Sequence, residues 1–311
     1  MPLGVLDLFS GCGGLSCYFQ RPQFDILLSI DNWQPALDTI SKNKSHKVLC
    51  ADLSQLEPKD LNLATNVDVI IGGFPCQGFS SAGRRKIDDP RNTLFLDYIK
   101  YVKHFKPRLC LIENVVGLLT MRNDQGDFIK DIITSQLEQL GYHVKMQILN
   151  SAQYLVPQRR RRVIFIASKH DNNFTFPEPS SSLTRVKECI DARDTCDEKL
   201  FLSEKAITGI NRKKQVSKER KAGWGAQFID LEKPCYTIPA RYWKDGYDAL
   251  IKYDEKTIRR LSVNELARIQ TFPETYLFSG TKKEIIMQIG NAVPCLLGKV
   301  LGESIHQYLV Q

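Results

Sequence analysis

Apolar, β-rich runs alternate with helical patterns through the first half of the chain, and this alternation limits the possible folds most. The runs fall at Gly4–Phe9, Phe24–Ile30, Lys47–Cys50, Val67–Ile71, Arg108–Ile112, His143–Leu149 and Val163–Ala167. Helical patterns separate several of them, at Gly14–Gln20, Pro35–Lys42, Leu94–Phe105 and Phe128–Leu140. In the last, Ile129, Ile132, Ile133, Leu137 and Leu140 form one apolar stripe, and Gly141 supplies a stop. Strands and helices alternating at this spacing predict an α/β fold: a mainly parallel sheet with helices on both faces.

The character changes after about Asp171. "DNNFTFPEPSSSLTR" reads as a linker, and "NRKKQVSKERKAGWG" is basic without clear periodicity. Regular structure returns at "LSVNELARIQTF", where Ser262 and Glu265 have capping-box spacing. "PCLLGKVLGESIHQYLV" predicts a final amphipathic helix with Pro294 in its first turn. No signal peptide is expected from "MPLGVLDLFSGCGG", and no uninterrupted apolar run has bilayer length. The nine cysteines contain no CxxC and the five histidines do not cluster with them, which argues against a zinc site or a disulfide framework. A reducing cytosol fits that pattern. The net charge of +8 favours a polyanionic partner without naming one.

In an open parallel sheet, ligands bind beyond the carboxyl ends of the strands. The unusual residues of this chain fall there. "DLFSGCGG" ends the first strand, Asp31 the second, Asp52 follows the third, "GGFPCQ" the fourth, and Glu113-Asn114-Val115 the fifth. "GCGGLS" has Ser16 where a dinucleotide fingerprint wants a third glycine, and it lacks a phosphate-loop lysine. Alone it fits a nucleotide site or a tight turn equally well. Asp31 and Asp52 each fit a cofactor carboxylate or a helix cap. Together, without a phosphate-binding lysine, these residues suggest an uncharged-ribose cofactor such as S-adenosylmethionine. The single cysteine in "VIIGGFPCQGFS" sits just past a strand, held by Pro75 and exposed by glycines. That thiol is placed to react.

The ordered set "DLFSGCGGLS", "GGFPCQGFS", "DDPRNTLFLDYI", "ENVVGLL", "QRRRRVIFIA", "RRLSVNELARIQTFP" and "IGNAVP" resembles the DNA (cytosine-5)-methyltransferases of the compact bacterial or viral restriction–modification type. Only about residues 173 to 258 lie outside the matching stretches. The resemblance implies a Rossmann-like, S-adenosylmethionine-dependent catalytic domain over 1–178 and 285–311. It implies a smaller target-recognition domain, with its hinge, over 179–284. Cys76 is then the nucleophile that adds to carbon 6 of cytosine, because carbon 5 is too poor a nucleophile to attack a methyl sulfonium unaided. Glu113 is implied to contact the ring nitrogen and exocyclic amine, countering charge as the thiolate adds. The family's Gln and alternating arginines fall on Gln158, Arg160 and Arg162. Strand alternation turns Arg160 and Arg162 towards the base and its phosphate, with Arg159 and Arg161 facing away as solvated charge.

For the cofactor, the resemblance carries over to Phe9, Gly11, Gly13, Asp31, Asp52, Pro75, Leu94 and Asn291, with S-adenosylhomocysteine as product and no metal. Asp31 departs from the Glu common in relatives, and Asn32 replaces the aromatic that often follows. For duplex DNA it implies contacts from Gln77, Ser80, Gln158, Thr237 and Arg241, with the target cytosine rotated out of the stack. Thr237-Ile238 fits a short recognition element, and Arg241, Tyr242, Trp243 and Lys244 are further candidates that packing would explain equally well. A monomer is expected, at the nucleoid of a cytoplasm or in the host cell if viral. A cognate restriction endonuclease would act separately, and no membrane is involved. The nearest rival is a tRNA cytosine-5 methyltransferase of the DNA-methyltransferase-like type, though "GGFPCQGFS" looks DNA-type. A catalytically dead DNA-binding relative conflicts with the intact Cys76, Glu113, Arg160 and Arg162 set. A nicotinamide dehydrogenase would need a fuller glycine fingerprint and has no use for Cys76.

Overall fold

The computed structural model describes residues 1–63, 65–75, 94–220, 226–247 and 249–311, with backbone alone at 213–220 and 245. Among them, β1 (Leu3–Leu8), β2 (Phe24–Asp31), β3 (Lys47–Cys50), β4 (Val69–Gly72) and β5 (Leu109–Val115) pair in parallel in the order β3-β2-β1-β4-β5. β6 (His143–Asn150) forms the far edge, and β8 (Arg161–Ser168) runs antiparallel between β5 and β6. The two-residue β7 (Gln158–Arg159) leads into β8. The sheet is α/β and mainly parallel, as the alternation predicts. The reversed β8 is new, because periodicity reports a strand's faces and not its direction.

β1 is buried along its whole length, and its side chains feed two separate cores. Leu6 and Leu8 pack with Tyr98, Ile99 and Val102 of α2 (Leu94–Phe105) and with Ile133 and Leu137 of α3 (Ile129–Gln139). Leu3 and Val5 pack instead with Leu297, Leu301 and Ile305 of α8 (Cys295–Val310). A sheet covered on both faces explains why its strands read as continuous apolar runs. Each fully buried Leu or Ile contributes roughly 1.5–3 kcal/mol. α1 (Gln34–Asn43) packs beside β2 and β3.

The stretch 14–20, predicted to be a helix, forms a run of turns instead. Its bonds are i→i−3, from Cys17 to Gly14 and from Phe19 to Ser16. Its backbone is also pressed against the C-terminal segment: a Cβ on Gly14 would lie 2.4 Å from the Val293 carbonyl oxygen. That approach leaves no room for a helix's side chains.

The second half builds its own core from Val186, Ile229, Cys235, Ile238, Tyr242, Ile251, Leu261, Leu266 and Ile269. Its elements are β9 (Cys235–Tyr236), β10 (Leu250–Lys252), β11 (Ile258–Arg260), α5 (Tyr242–Asp245), α6 (Val263–Ile269) and α7 (Lys282–Asn291). Ile286 and Ile289 of α7 join that core. The capping box at the start of α6 is formed in both directions between Ser262 and Glu265. Glu265 also receives Arg259 at 2.7 and 2.8 Å, both side chains being fully buried.

The basic run read as aperiodic lies largely in α4 (Glu204–Arg220). Among the described side chains, Ala206, Ile207 and Ile210 reach a core, while Lys, Arg and Gln favour the helix without marking a face. The stretch Lys282–Val310 has the length and composition to cross a membrane, yet 61% of its most apolar window is buried inside the protein. Pro294 breaks it between α7 and α8.

Candidate active site

Register places the candidate residues on one edge of the sheet. Leu8 is opposite Ile30 and Gly72, Gly72 is opposite Ile112, and Asp31 is opposite Cys50. The chain segments following these strands therefore emerge side by side. At the end of β1 the backbone turns left-handed at Phe9 (φ 54°), then at Gly11 (φ 52°) and Gly13 (φ 78°). For Phe9 that conformation is uncommon and strained, which marks a ring held where the site needs it. Phe9 meets Phe74 edge-to-face at 6.4 Å, and Phe9, Phe74 and Leu94 pack on one apolar cluster.

Asp31 closes the turn. Its Oδ2 accepts the Gly11 N–H at 2.8 Å and its Oδ1 accepts the Trp33 N–H at 2.9 Å. Burial raises its pKa, and the N–H groups of Gly11, Trp33 and Asn32 pull it back. Each carboxylate oxygen retains a lone pair, so the cap and the cofactor ligand are compatible. Asp52 is exposed, and its Oδ1 accepts both the N–H and the hydroxyl of Ser54. The Ser10 hydroxyl oxygen is buried with no partner among the described residues. The positive-φ glycines, the aromatic edge, the two carboxylates and this orphaned hydroxyl fit a nucleoside with a free ribose.

Asp7 escapes notice in the sequence. It is 1% exposed inside β1, and its Oδ2 has no partner among the described residues. Burial pushes its carboxyl up to about 7, with Ser16 lowering it and the charge of Asp31 adding to the rise. A carboxylate in the otherwise apolar "LGVLDL" was the available signal.

Glu113 and Arg162 meet across the strands. Glu113 is opposite Ile164 in the β5–β8 ladder, so it shares a face with Arg162, two residues earlier on β8. Arg162 Nε lies 2.8 Å from Glu113 Oε1 in an ionic contact, and Oε1 accepts no hydrogen bond from the described residues. A Cβ on Gly73 would sit 2.9 Å from Glu113 Oε2 and 3.3 Å from the Glu113 carbonyl oxygen, so the carboxylate rests directly against this glycine. Both side chains are mostly buried, at 14% and 11% exposure. An ion pair so placed pays a desolvation cost and gives little net stability. Pro75 follows Gly73 and Phe74 directly; Cys76, Gln77 and Ser80 lie outside the described residues.

Arg160 does something other than expected. It is 3% exposed and donates to the carbonyls of Gly290 (3.0 Å) and Asn291 (3.1 Å). Those are the last carbonyls of α7, left without helical partners and at the negative end of its dipole. A buried guanidinium must spend its donors on such acceptors. Burial and the charge of Arg162 lower its pKa, and Glu113 opposes the fall. Its side chain therefore faces the "GNAVP" segment, with Nε buried and without a partner among the described residues. Gln158 is also turned inward. It is fully buried, with its oxygen on the Ile238 N–H (3.0 Å) and its amide on Gln270 (3.1 Å). It thereby ties Ile238 to Gln270 from inside the protein.

Thr237 is exposed and donates to the Arg159 carbonyl at 2.9 Å. Gln270, which the sequence reading missed, bonds the Ile289 carbonyl at 2.7 Å and so joins Gln158 to α7. Its signal was an amide inside "ARIQTF". Arg241 is exposed at the start of α5. Tyr242 is core: its hydroxyl bonds Ala249 and Leu261. Trp243 stacks under Lys283 at 4.4 Å.

A family model described as C-5 cytosine-specific DNA methylase matches residues 3–307. The chain belongs to that family. Its reaction is methyl transfer to carbon 5 of cytosine in DNA, which implies S-adenosylmethionine as the donor. The methylase is 36% identical to the Type II methyltransferase M1.HphI of Haemophilus parahaemolyticus, over 98% of this chain and 87% of that protein. It is 33% identical to M.DdeI of Desulfomicrobium norvegicum (98% and 89%) and 32% identical to M.NlaX of Neisseria lactamica (98% and 96%). Two solved structures share its fold. One is a putative DNA modification methyltransferase from an E. coli prophage, at TM-score 0.74 and 23% identity over 99% of this chain and all of that one. The other is EhMeth of Entamoeba histolytica, at TM-score 0.78 and 19% identity over 99% of each. A DNA family model spanning nearly the whole chain favours DNA over the tRNA rival.

Proposed function

We propose that the methylase acts on a cytosine extruded from duplex DNA through a covalent adduct of Cys76. The observation that carries this reading is the Glu113–Arg162 pair, resting on the Gly73 backbone three residues before Cys76. S-adenosylmethionine, when bound, supplies an electrophilic methyl group; Phe9, Gly11, Gly13, Asp31, Asp52, Pro75, Leu94 and Asn291 would hold it. The thiolate of Cys76 forms a bond to carbon 6, and the ring's electron pair moves to carbon 5. Carbon 5 would take the methyl group as the donor's methyl–sulfur bond breaks and S-adenosylhomocysteine leaves; the carbon 5 proton would then pass to a base, and the bond to Cys76 would break to restore the ring and the thiolate. Glu113, poised by Arg162 with one oxygen free of hydrogen bonds, contacts the ring nitrogen and amine and offsets charge during addition. Arg160 positions Asn291 and so acts at one remove from the reacting atoms. Thr237 and Arg241 face the DNA, Gln77 and Ser80 flank the nucleophile, and Gln158 supports Thr237-Ile238.

Residues 1–178 and 285–311 form the catalytic unit in this reading, and 179–284 the recognition unit. The protein works as a monomer beside a separately acting restriction endonuclease, as the Type II names of its relatives suggest. Bisulfite sequencing of DNA from cells expressing the protein tests the reading and reveals the site. Protected cytosines in one recurring sequence, absent with Cys76→Ala, are expected. In vitro, duplexes carrying 5-fluorocytosine at that site should trap the enzyme, because fluorine blocks loss of the proton. An adduct that persists in Cys76→Ala would overturn the assignment.

A further inference from the structure

Arg159 and Arg161 are left over from the reaction, and they share a surface of their own. Asn150 lies opposite Arg161 and Leu149 opposite Arg162 in the β6–β8 ladder. Residues directly opposite in an antiparallel pair share a face, so Arg161, Asn150 and Ile148 lie on the face away from Glu113 and Arg162. There they line an open basin of about 620 Å³ together with Arg159, Lys233 and Leu183. No carboxylate lies within ion-pair distance of Arg159 or Arg161 among the described residues. Lys233 is 3.0 Å from Asp230, both exposed, and such a surface pair is weak. Asp230 also feels the charge of Arg159. The basin therefore carries three cations against one acid.

Its position ties it to the recognition element. Arg159 accepts the Thr237 hydroxyl on its carbonyl, and its guanidinium lies 4.9 Å over the exposed ring of Tyr236. Tyr236 and Arg159 therefore lie between Thr237 and the basin. Its cations are solvated, whereas a small-molecule site encloses most of its ligand. A phosphodiester that stays hydrated suits exposed arginines, whose planar fork matches phosphate oxygens.

We propose that this basin binds a backbone phosphate of the DNA arm that leaves the recognition site, extending the footprint onto the outer edge of the sheet. The proposal rests on the reading that Thr237 faces DNA. It concerns register and orientation on the duplex, since phosphate contacts carry no sequence information.

The test compares a short duplex that just covers the methylated sequence with a long one that extends well past it on both sides. The dissociation constant of each is measured against salt concentration for wild type, Arg161→Ala, Arg161→Lys and Lys233→Ala. Each phosphate contact adds about 0.9 to the slope of log affinity against log salt. The wild type should show a steeper slope on the long duplex. For one phosphate that excess should be about 0.9; Arg161→Ala and Lys233→Ala should each reduce it, and Arg161→Lys should keep it, because counterion release counts charge. Equal slopes for wild type on both duplexes, an excess that survives both alanine substitutions, or its loss in Arg161→Lys would each overturn the proposal. Methyl transfer by the wild type to the short duplex, measured alongside, reports on the catalytic reading independently of the basin.

Discussion

Arg160 donates a hydrogen bond to the carbonyl of Asn291, 131 residues further along the chain, at 3.1 Å. With its partner bond to Gly290, this contact fixes the end of α7 against the start of β8. Arg162, two residues on, holds Glu113. The entry to β8 thus braces α7 through Arg160 and the end of β5 through Arg162.

Arg160→Ala should leave two buried carbonyls without donors and cost on the order of 2–4 kcal/mol of stability. Because the contact positions Asn291, S-adenosylmethionine affinity should fall as well, while DNA affinity with cofactor product present changes little. Arg160→Lys, which keeps one donor in reach, should recover part of the cofactor affinity. Calorimetry and urea unfolding separate the two effects. A variant with normal cofactor binding and weakened DNA binding would return Arg160 to the phosphate role expected from alternation alone.

Asp31→Ala removes an acceptor from the Gly11 N–H and from the ribose. S-adenosylmethionine binding should weaken by about 1.5–3 kcal/mol, the scale of a lost hydrogen bond to a charged group. Isothermal titration gives the answer directly. Unchanged affinity would mean that Asp31 serves only the turn at Gly11 and Trp33.

Asp7 predicts a pH dependence of stability. Burial raises its folded pKa to about 7, above the ordinary 3.8. The folded state therefore holds its proton more tightly than the unfolded chain does. The stabilisation is complete below the unfolded pKa and is lost as pH rises through the folded one. Between pH 5 and pH 8 the loss should be roughly 2–3 kcal/mol, and none should follow at higher pH from this group. Asp7→Asn cannot ionise, so the difference between variant and wild type in urea unfolding should grow by that amount across the same interval. A difference that stays flat with pH would show that Asp7 is already ionised in the fold.

Local pattern made α2 legible end to end, because its apolar side chains recur on one face. The capping box of α6 was legible too, since Ser262 and Glu265 interact over one turn. The alternation in "QRRRR" was read correctly as exposure: Arg159 and Arg161 are exposed, whereas Gln158 and Arg160 are buried. What those buried groups touch was not legible. Gly290, Asn291, Ile238 and Gln270 lie 80 to 131 residues away in sequence, and only the return of α7 to the sheet brings them close. The basic run of α4 was missed because Lys, Arg and Gln favour a helix without an apolar period to mark it. Asp7 was passed over because a lone acid in an apolar strand carries no spacing.

Base extrusion gives the last prediction. If the enzyme pulls its cytosine from the stack, part of its binding free energy goes to breaking a base pair and its stacking, typically a few kcal/mol. A mismatched or absent base opposite the target removes some of that cost. Affinity for such a duplex should exceed that for the normal site, with S-adenosylhomocysteine present to hold the cofactor side in place. The difference should persist at two salt concentrations, because it arises from the DNA's own pairing and not from phosphate contacts. Arg162 is already held by Glu113 and Arg160 by α7, so neither should contribute to the salt slope, and substitutions at Lys and Arg elsewhere should move both duplexes together. Equal or tighter binding of the matched duplex at both salt concentrations would mean that extrusion costs no binding energy, and the chemistry proposed for Cys76 would need another route to the base.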